Sequence, residues 1–342
     1  MKKLISMLLA LLLVMSLSSA AFAANQDAYF SKTYKLTNAG TTSPEESFTF
    51  RFSNGTVTDA ADGTAVPTIP DATVNFAAGD AATDAGLAKQ VNVSLSGITW
   101  PSVGIYTYDV TEVQGNTAGV TYSNATLKMK VTVAYDDQTQ TYYTAFVTMS
   151  LVDSDDDGIT DGTKTGNFEN TYSAGSLAVT KTVTGNMGDR SKYFAINVTL
   201  TGEADKTYAA SYTVTGGTKL VNGTDDATTS TIFIGTPATF YLKHGETFTI
   251  SNLPYGVTYA VTEEDYTAEE KGGYDTPAYT YSDAGTTKTV DSSSETVGIT
   301  NNKGAIVDTG ISLDSLPYIL LLVISLTGAV VFIVKRRSSR ES

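Results

Sequence analysis

The 342-residue chain has no cysteine, a single histidine and a single tryptophan. Without thiols no disulfide can staple it, and no cysteine–histidine set can hold zinc. His244, in the polar turn "KHGET", reads as an exposed loop residue, and Trp100 as a core residue. Basic side chains are few, 22 against 36 acidic, for a formal charge of −14. That balance argues against nucleic acid as a partner and favours solubility. No glycine-rich phosphate loop opens a helix, and leucine is sparse except near the two ends. What fills the chain instead is threonine, tyrosine, valine and glycine, a composition of β-structure. The expectation is an all-β protein with no cofactor and no turnover of an external substrate.

The long hydrophobic runs are confined to the ends. Residues 1–23 carry Lys2 and Lys3, an apolar run and the small-residue exit Ala21-Phe22-Ala23, which together make a secretory signal peptide. Residues 316–334 are mostly Leu, Ile and Val. As a helix they would reach roughly 28 Å, close to the thickness of a bilayer core. The tail 335–342 holds Lys335, Arg336, Arg337 and Arg340, which keep that end cytoplasmic. The leader contributes +2, and the four basic residues against Asp314 and Glu341 contribute another +2, leaving 24–309 at −18. Ahead of the span, in 304–315, stands Ile306-Val307-Asp308-Thr309-Gly310. Pentapeptide, spacer, apolar span and basic tail in this order resemble the sorting signal of Gram-positive surface proteins. The resemblance implies sortase cleavage between Thr309 and Gly310, with Val307 and Asp308 departing from the commoner proline-containing form.

Between the ends lie two copies of one unit, 24–172 and 173–303. In "AYFSKTYKL", Ala28, Phe30, Lys32, Tyr34 and Leu36 share a face; in "SLAVTKTV", Leu177, Val179, Lys181 and Val183 do the same. Each opening strand is followed by a second apolar strand, at 48–52 and 194–200. In "YTYDVTEV", Tyr108, Val110 and Glu112 share a side, as do Tyr259, Val261 and Glu263 in "TYAVTEED". Lysine and glutamate are 80 residues apart in the first copy and 82 in the second, which marks a repeat. Each copy closes on a strand with an inward asparagine, Asn170 in "GNFENTY" and Asn301 in "VGITNNK". One such residue alone reads as a snorkelling lysine, a strand-end carboxylate or a turn asparagine. Three types recurring in one order and one phase call for a chemistry.

Burial lowers the pKa of a lysine, so it can sit as a neutral amine, and burial favours the protonated form of a carboxyl group. The amine is a nucleophile and the asparagine side-chain carbonyl an electrophile. A protonated glutamate can hydrogen-bond that carbonyl and relay protons from amine to leaving group. Ammonia departs, an amide joins the two side chains, and confinement in a dry core supplies the rate.

The lysine–glutamate–asparagine order, the "Y-x-V-T-E" strand, the "L-P-x-G" turn and the closing "F-x-N" strand resemble the isopeptide-containing major pilins of Gram-positive bacteria. The resemblance covers nearly the whole of 24–309 and implies two tandem immunoglobulin-like (CnaB-type) β-sandwiches. It implies bonds from first to last strand, Lys32–Asn170 with Glu112 and Lys181–Asn301 with Glu263 as the internal catalysts. Lys35, Asn167, Glu264 and Asn302 are the alternatives one register away. It also implies a covalent polymer of copies of the chain, joined by sortase and fixed to peptidoglycan or a basal pilin, from a membrane-anchored precursor. The linking lysine falls at Lys164, six residues before Asn170, with Lys128 and Lys130 as alternatives. A monomeric wall-anchored surface protein or adhesin would share the leader, the bonds and the anchor. In "DSDDDGITDG", Asp153, Asp155, Asp157 and Asp161 resemble the start of a calcium loop, but Lys164 stands where the bidentate glutamate belongs. An acidic solvated loop is the expectation there.

Overall fold

The computed structural model describes residues 27–81, 85–151, 166–217, 219–221, 224–226, 231–304 and 316–338. The leader 1–23, Lys164, the acidic quartet Asp153, Asp155, Asp157 and Asp161, and the sorting residues Thr309 and Gly310 lie outside them. Two compact units are distinguished, one drawn from 27–182, 191–264 and 278–300, the other from 183–190, 265–277 and 301–338.

The larger unit opens with nine strands: β1 (Ala28–Leu36), β2 (Glu46–Thr58), β3 (Ala72–Phe76), β4 (Leu87–Val93), β5 (Gly104–Glu112), β6 (Val120–Thr121), β7 (Thr126–Asp136), β8 (Thr141–Leu151) and β9 (Asn167–Tyr172). They form a four-stranded sheet, β4-β1-β9-β6, and a five-stranded one, β3-β2-β5-β7-β8. Strict alternation decides which side chains are covered. In β1 every odd member from Ala28 to Leu36 is in the core, and in β7 Leu127, Met129, Val131 and Val133 are. Edge-to-face aromatic pairs fill the space between the sheets, Phe30 against Phe50 at 4.8 Å and Tyr34 against Phe48 at 5.2 Å between ring centroids. Trp100 is buried as expected, tilted on Tyr106. The first and last strands of the set, β1 and β9, run parallel and side by side, with Tyr34 opposite Asn170. Distant parts of the sequence are therefore paired at the level of the backbone.

The second set comprises β10 (Ala174–Thr184), β11 (Phe194–Thr201), β12 (Tyr212–Gly216), β13 (Lys219–Val221), β14 (Thr224–Asp226), β15 (Thr231–Ile232), β16 (Ala238–Leu242), β17 (Thr247–Pro254), β18 (Thr258–Glu263), β19 (Ala278–Tyr281) and β20 (Ser294–Asn302). Its six-stranded sheet, β15-β12-β17-β10-β20-β19, again puts the first strand beside the last, and a three-stranded sheet is ordered β16-β11-β18. Its own core is built on Leu177, Val179, Ile196, Val198, Phe248, Ile250, Val297 and Ile299.

Between the two cores the larger unit is tied by directional bonds. Asn252, at φ 61°, accepts from the Thr42 N–H at 2.8 Å and donates to the Thr42 carbonyl at 2.9 Å. Asn38 donates to the Ala174 carbonyl at 2.9 Å, and Thr207 exchanges backbone bonds with Asn116 and Ala118, both at 2.9 Å. Gly119 turns at φ 76°, where an added Cβ would meet the Ser173 carbonyl oxygen at 2.6 Å.

In the smaller unit a 3-10 turn, Glu269–Lys271, precedes Tyr274, whose hydroxyl accepts from the Asp189 N–H at 3.0 Å. Helix α1 (Leu316–Ser338) begins with Pro317 in its first turn, where a missing N–H costs nothing. Its stretch Tyr318–Arg336 is long and apolar enough to cross a membrane. The helix extends past the expected end at 334 into the basic tail, since Lys and Arg are good helix formers.

Candidate functional site

The alternation of β1 aims Lys32 into the first core, and its side chain has no solvent exposure. Asn170 lies on the neighbouring strand β9, two positions along the shared face, because Lys32 is opposite Phe168 and Tyr34 opposite Asn170. Glu112 comes from the other sheet. It ends the inward row of β5 and sits opposite Phe50 of β2. The three side chains meet across the sandwich. Lys32 Nζ donates to Glu112 Oε2 at 2.7 Å, and Asn170 Nδ2 donates to the other carboxylate oxygen, Oε1. Asn170 Oδ1 accepts from the Ser123 backbone N–H at 2.8 Å. The Phe48 ring covers the amine, with Nζ 4.4 Å from its centroid.

Burial dominates the electrostatics. Desolvation pulls the Lys32 amine down to about 8, against the opposing pull of the Glu112 charge and hydrogen bond. A second carboxylate, Glu46, stands near by on β2. Burial raises its pKa, its Oε2 accepts weakly from the Tyr122 hydroxyl at 3.4 Å, and its Oε1 has no partner among the described residues. The sequence did carry the signal for Glu46, since it shares a face with Phe48 and Phe50 in "EESFTF". No side-chain pattern could have announced Ser123, whose contribution is a backbone N–H.

The second core repeats the arrangement as far as the lysine and the glutamate. Lys181 of β10 and Glu263 of β18 pair at 2.7 Å with both side chains fully covered. The Phe194 ring lies 4.2 Å from Lys181 Nζ, as Phe48 does for Lys32. Burial lowers the Lys181 pKa, with Glu263 opposing. Asn301 is fully buried near the end of β20.

The alternatives one register away face elsewhere. Lys35 pairs with Glu169 at the surface, Asn167 accepts from the Thr33 hydroxyl at 3.1 Å, Glu264 is exposed, and Asn302 is exposed and donates to Asp275 at 2.7 Å. Lys128 pairs with Asp109, and Lys130 is exposed.

Residues 29–173 match the Spy0128-like isopeptide containing domain, and residues 175–303 match a domain of unknown function, DUF7601. A pilin of Streptococcus pyogenes serotype M1 is 30% identical over 262 residues, 73% of each chain. The pilus tip adhesin Cpa of Streptococcus pyogenes is 30% identical over 141 residues, 40% of this chain and 18% of the adhesin. Among solved structures, a major pilin from Streptococcus pyogenes superposes with a TM-score of 0.55 at 24% identity, covering 83% of this chain and 100% of the pilin. A second major pilin from that organism gives 0.53 at 25%, with the same coverages.

Proposed function

The chain belongs to the pilin family, and on that premise we infer that it is the shaft subunit of a covalently polymerised surface pilus. The observation that carries the reading is the buried Lys32–Glu112–Asn170 cluster, which joins the first strand to the last across a dry core. A neutral amine, a carboxyl group and an amide in contact there can react once and without turnover. The amine attacks the amide carbon, the carboxyl group moves protons, and ammonia leaves. Lys181, Glu263 and Asn301 form the second bond in the same way. Force on the ends of such a sandwich peels its terminal strands first, and these ties route the load past both cores.

Sortase cleaves between Thr309 and Gly310 and passes the threonine carbonyl to Lys164 of the next copy, or to peptidoglycan or a basal pilin at the end of assembly. Before that step the apolar helix holds the precursor in the membrane. The internal chemistry is tested by the intact mass of residues 24–309 made without sortase, beside Glu112→Ala and Glu263→Ala. Two bonds predict a deficit of about 34 Da, and each substitution restores about 17 Da, one ammonia. A parent at full mass overturns the isopeptide reading. Polymerisation is tested in wall extracts, where high-mass ladders that vanish on Lys164→Ala are expected. A single band at subunit mass would favour a monomeric surface protein or adhesin, the class that the Cpa match brings in.

A further inference from the structure

We propose that the Ser123 backbone N–H is the oxyanion donor for bond formation at Asn170, and that Glu112 bridges the attacking and leaving nitrogens rather than polarising the carbonyl. The proposal rests on the isopeptide reading above and assigns the atoms within it.

A backbone N–H can only donate, so the Asn170 atom 2.8 Å from Ser123 N must be the oxygen. The amide orientation follows from chemistry and not from the similar sizes of nitrogen and oxygen. With Oδ1 committed to Ser123, Nδ2 faces Glu112 Oε1, while Oε2 of the same carboxylate holds Lys32 Nζ. The carboxylate thus touches both nitrogens of the future tetrahedral centre, and the oxygen is held elsewhere.

The position of Ser123 is fixed by its surroundings. It follows β6, which pairs with β9 through Thr121 opposite Thr171 and so delivers the chain to the side of Asn170. The Ser123 carbonyl accepts from Gln114 Nε2 at 2.9 Å, and its hydroxyl accepts from the Ala125 N–H at 3.3 Å. A cavity of about 190 Å³ lined by Glu112, Gln114, Ser123 and Asn124 adjoins the site and offers ammonia a way out.

The step balances as follows. In the ion pair Nζ first gives a proton to the carboxylate oxygen it touches, leaving Lys32 a neutral amine. A half-turn of the carboxyl group then sets that protonated oxygen against Nδ2 and the bare oxygen against Nζ. The Nζ lone pair attacks the Asn170 carbon, and the carbonyl electron pair moves to Oδ1, where the Ser123 N–H stabilises it. The bare oxygen takes a proton from Nζ while the protonated oxygen gives its proton to Nδ2. The carbon–Nδ2 bond breaks with its electron pair, ammonia departs, and the carbonyl re-forms. Glu112 enters as the carboxylate of the ion pair and ends as the neutral acid: of the five protons first held by the lysine and amide nitrogens, three leave on ammonia, one stays on the new amide and one stays on Glu112.

The deciding experiment is a crystal structure of residues 24–309 after the bond has formed. Nζ is then covalently attached to the former asparagine carbon, so the remaining atom is the oxygen without ambiguity. The expected result is that oxygen within hydrogen-bond distance of Ser123 N. An oxygen turned to Glu112 overturns the proposal while leaving the isopeptide reading intact, whereas a parent of full mass removes both. The rate gives a second arm, measured as ammonia loss by mass spectrometry after dilution of never-folded chain from denaturant. Ser123→Ala keeps the N–H but loses the hydroxyl that accepts from Ala125, so it should slow the reaction by no more than a few-fold. Ser123→Pro, which lacks it, should react about 100-fold more slowly, the usual loss for one oxyanion donor. Parent-like rates in a folded Ser123→Pro variant overturn the assignment, and if that variant does not fold the oxygen position decides.

Discussion

Replacing Lys32 by methionine removes the nucleophile and keeps a flexible chain of similar length in the first core. The bond it would have made spans 138 residues of sequence, from Lys32 to Asn170. If a cross-link acts by restricting the unfolded chain, closing a loop of that length is worth about 5 kcal/mol. For a domain of this size about 0.3 kcal/mol per kelvin of unfolding entropy converts that into about 15 °C of Tm. The methionine itself adds little, since the thioether chain fills the lysine's place and Glu112 keeps the Asn170 amide as a donor. Calorimetry of residues 24–309 should therefore show one transition lowered by about 15 °C, with the other unmoved because Lys181 is untouched. Asn170→Ala loses the same bond by another route and should shift the same transition by at least as much. A variant that regains about 17 Da yet loses less than about 5 °C would refute the loop-closure reasoning. Stability would then reside in packing around the cluster rather than in the tie.

The pH dependence of bond formation follows from the proton count. The reactive form, neutral amine with protonated Glu112, has the same number of protons as the ion pair, and the pair loses that proton as pH rises past the Lys32 value of about 8. Formation in refolding chain should thus be flat just below pH 8 and fall about tenfold per unit above it, and a rate that keeps climbing through pH 9 would mean solvent deprotonation of the amine is limiting. Asn252→Ala deletes both bonds to Thr42 and leaves alanine at φ 61°, so a loss of about 1–3 kcal/mol is expected, read as faster hydrogen exchange at the Thr42 amide; unchanged exchange would show that the bonds contribute nothing. Gly119→Ala drives a Cβ into the Ser173 carbonyl at a positive φ, and a lowered Tm with intact mass deficit is expected, because the strain lies outside the reacting cluster.

Much of this arrangement was legible because a period of two is unforgiving. In β1 a shift of one residue would exchange Lys32 for Lys35, and Lys35 is found at the surface with Glu169. The inward rows ending at Glu112 and Glu263, and the burial of Asn170 and Asn301, follow from the same alternation. What alternation cannot supply is the third dimension. That Glu112 comes from the sheet facing Lys32, and that Phe48 lies over the amine, depends on which strands share a sheet. Strand β2 also runs past the apolar stretch 48–52, because its second half, past the register shift between Ser53 and Thr56, is mostly exposed and has no apolar rhythm. Glu46 was readable by the same rule as Lys32, but an acidic residue at the mouth of a strand looks like a solvated end until its burial is seen.

If Glu112 acts as proposed, its place on the sheet opposite Lys32 governs when the bond can form. Lys32 and Asn170 share a sheet and are brought close as soon as β1 and β9 pair. Glu112 reaches them only when the β5 sheet closes over that pair. Before closure the amine is hydrated and charged, and a cationic amine is no nucleophile. On the proposed chemistry closure both dries the lysine and delivers the proton carrier, so the covalent step would be licensed by the completed core and not by strand pairing alone. A mispaired or half-packed chain lacks the carboxylate and stays unlinked, free to unfold and try again. The second core puts Lys181 and Glu263 on different sheets in the same way. On the proposed chemistry the carboxylates would act as a check on folding as well as catalysts, which a glutamate on the same sheet as the lysine could not do.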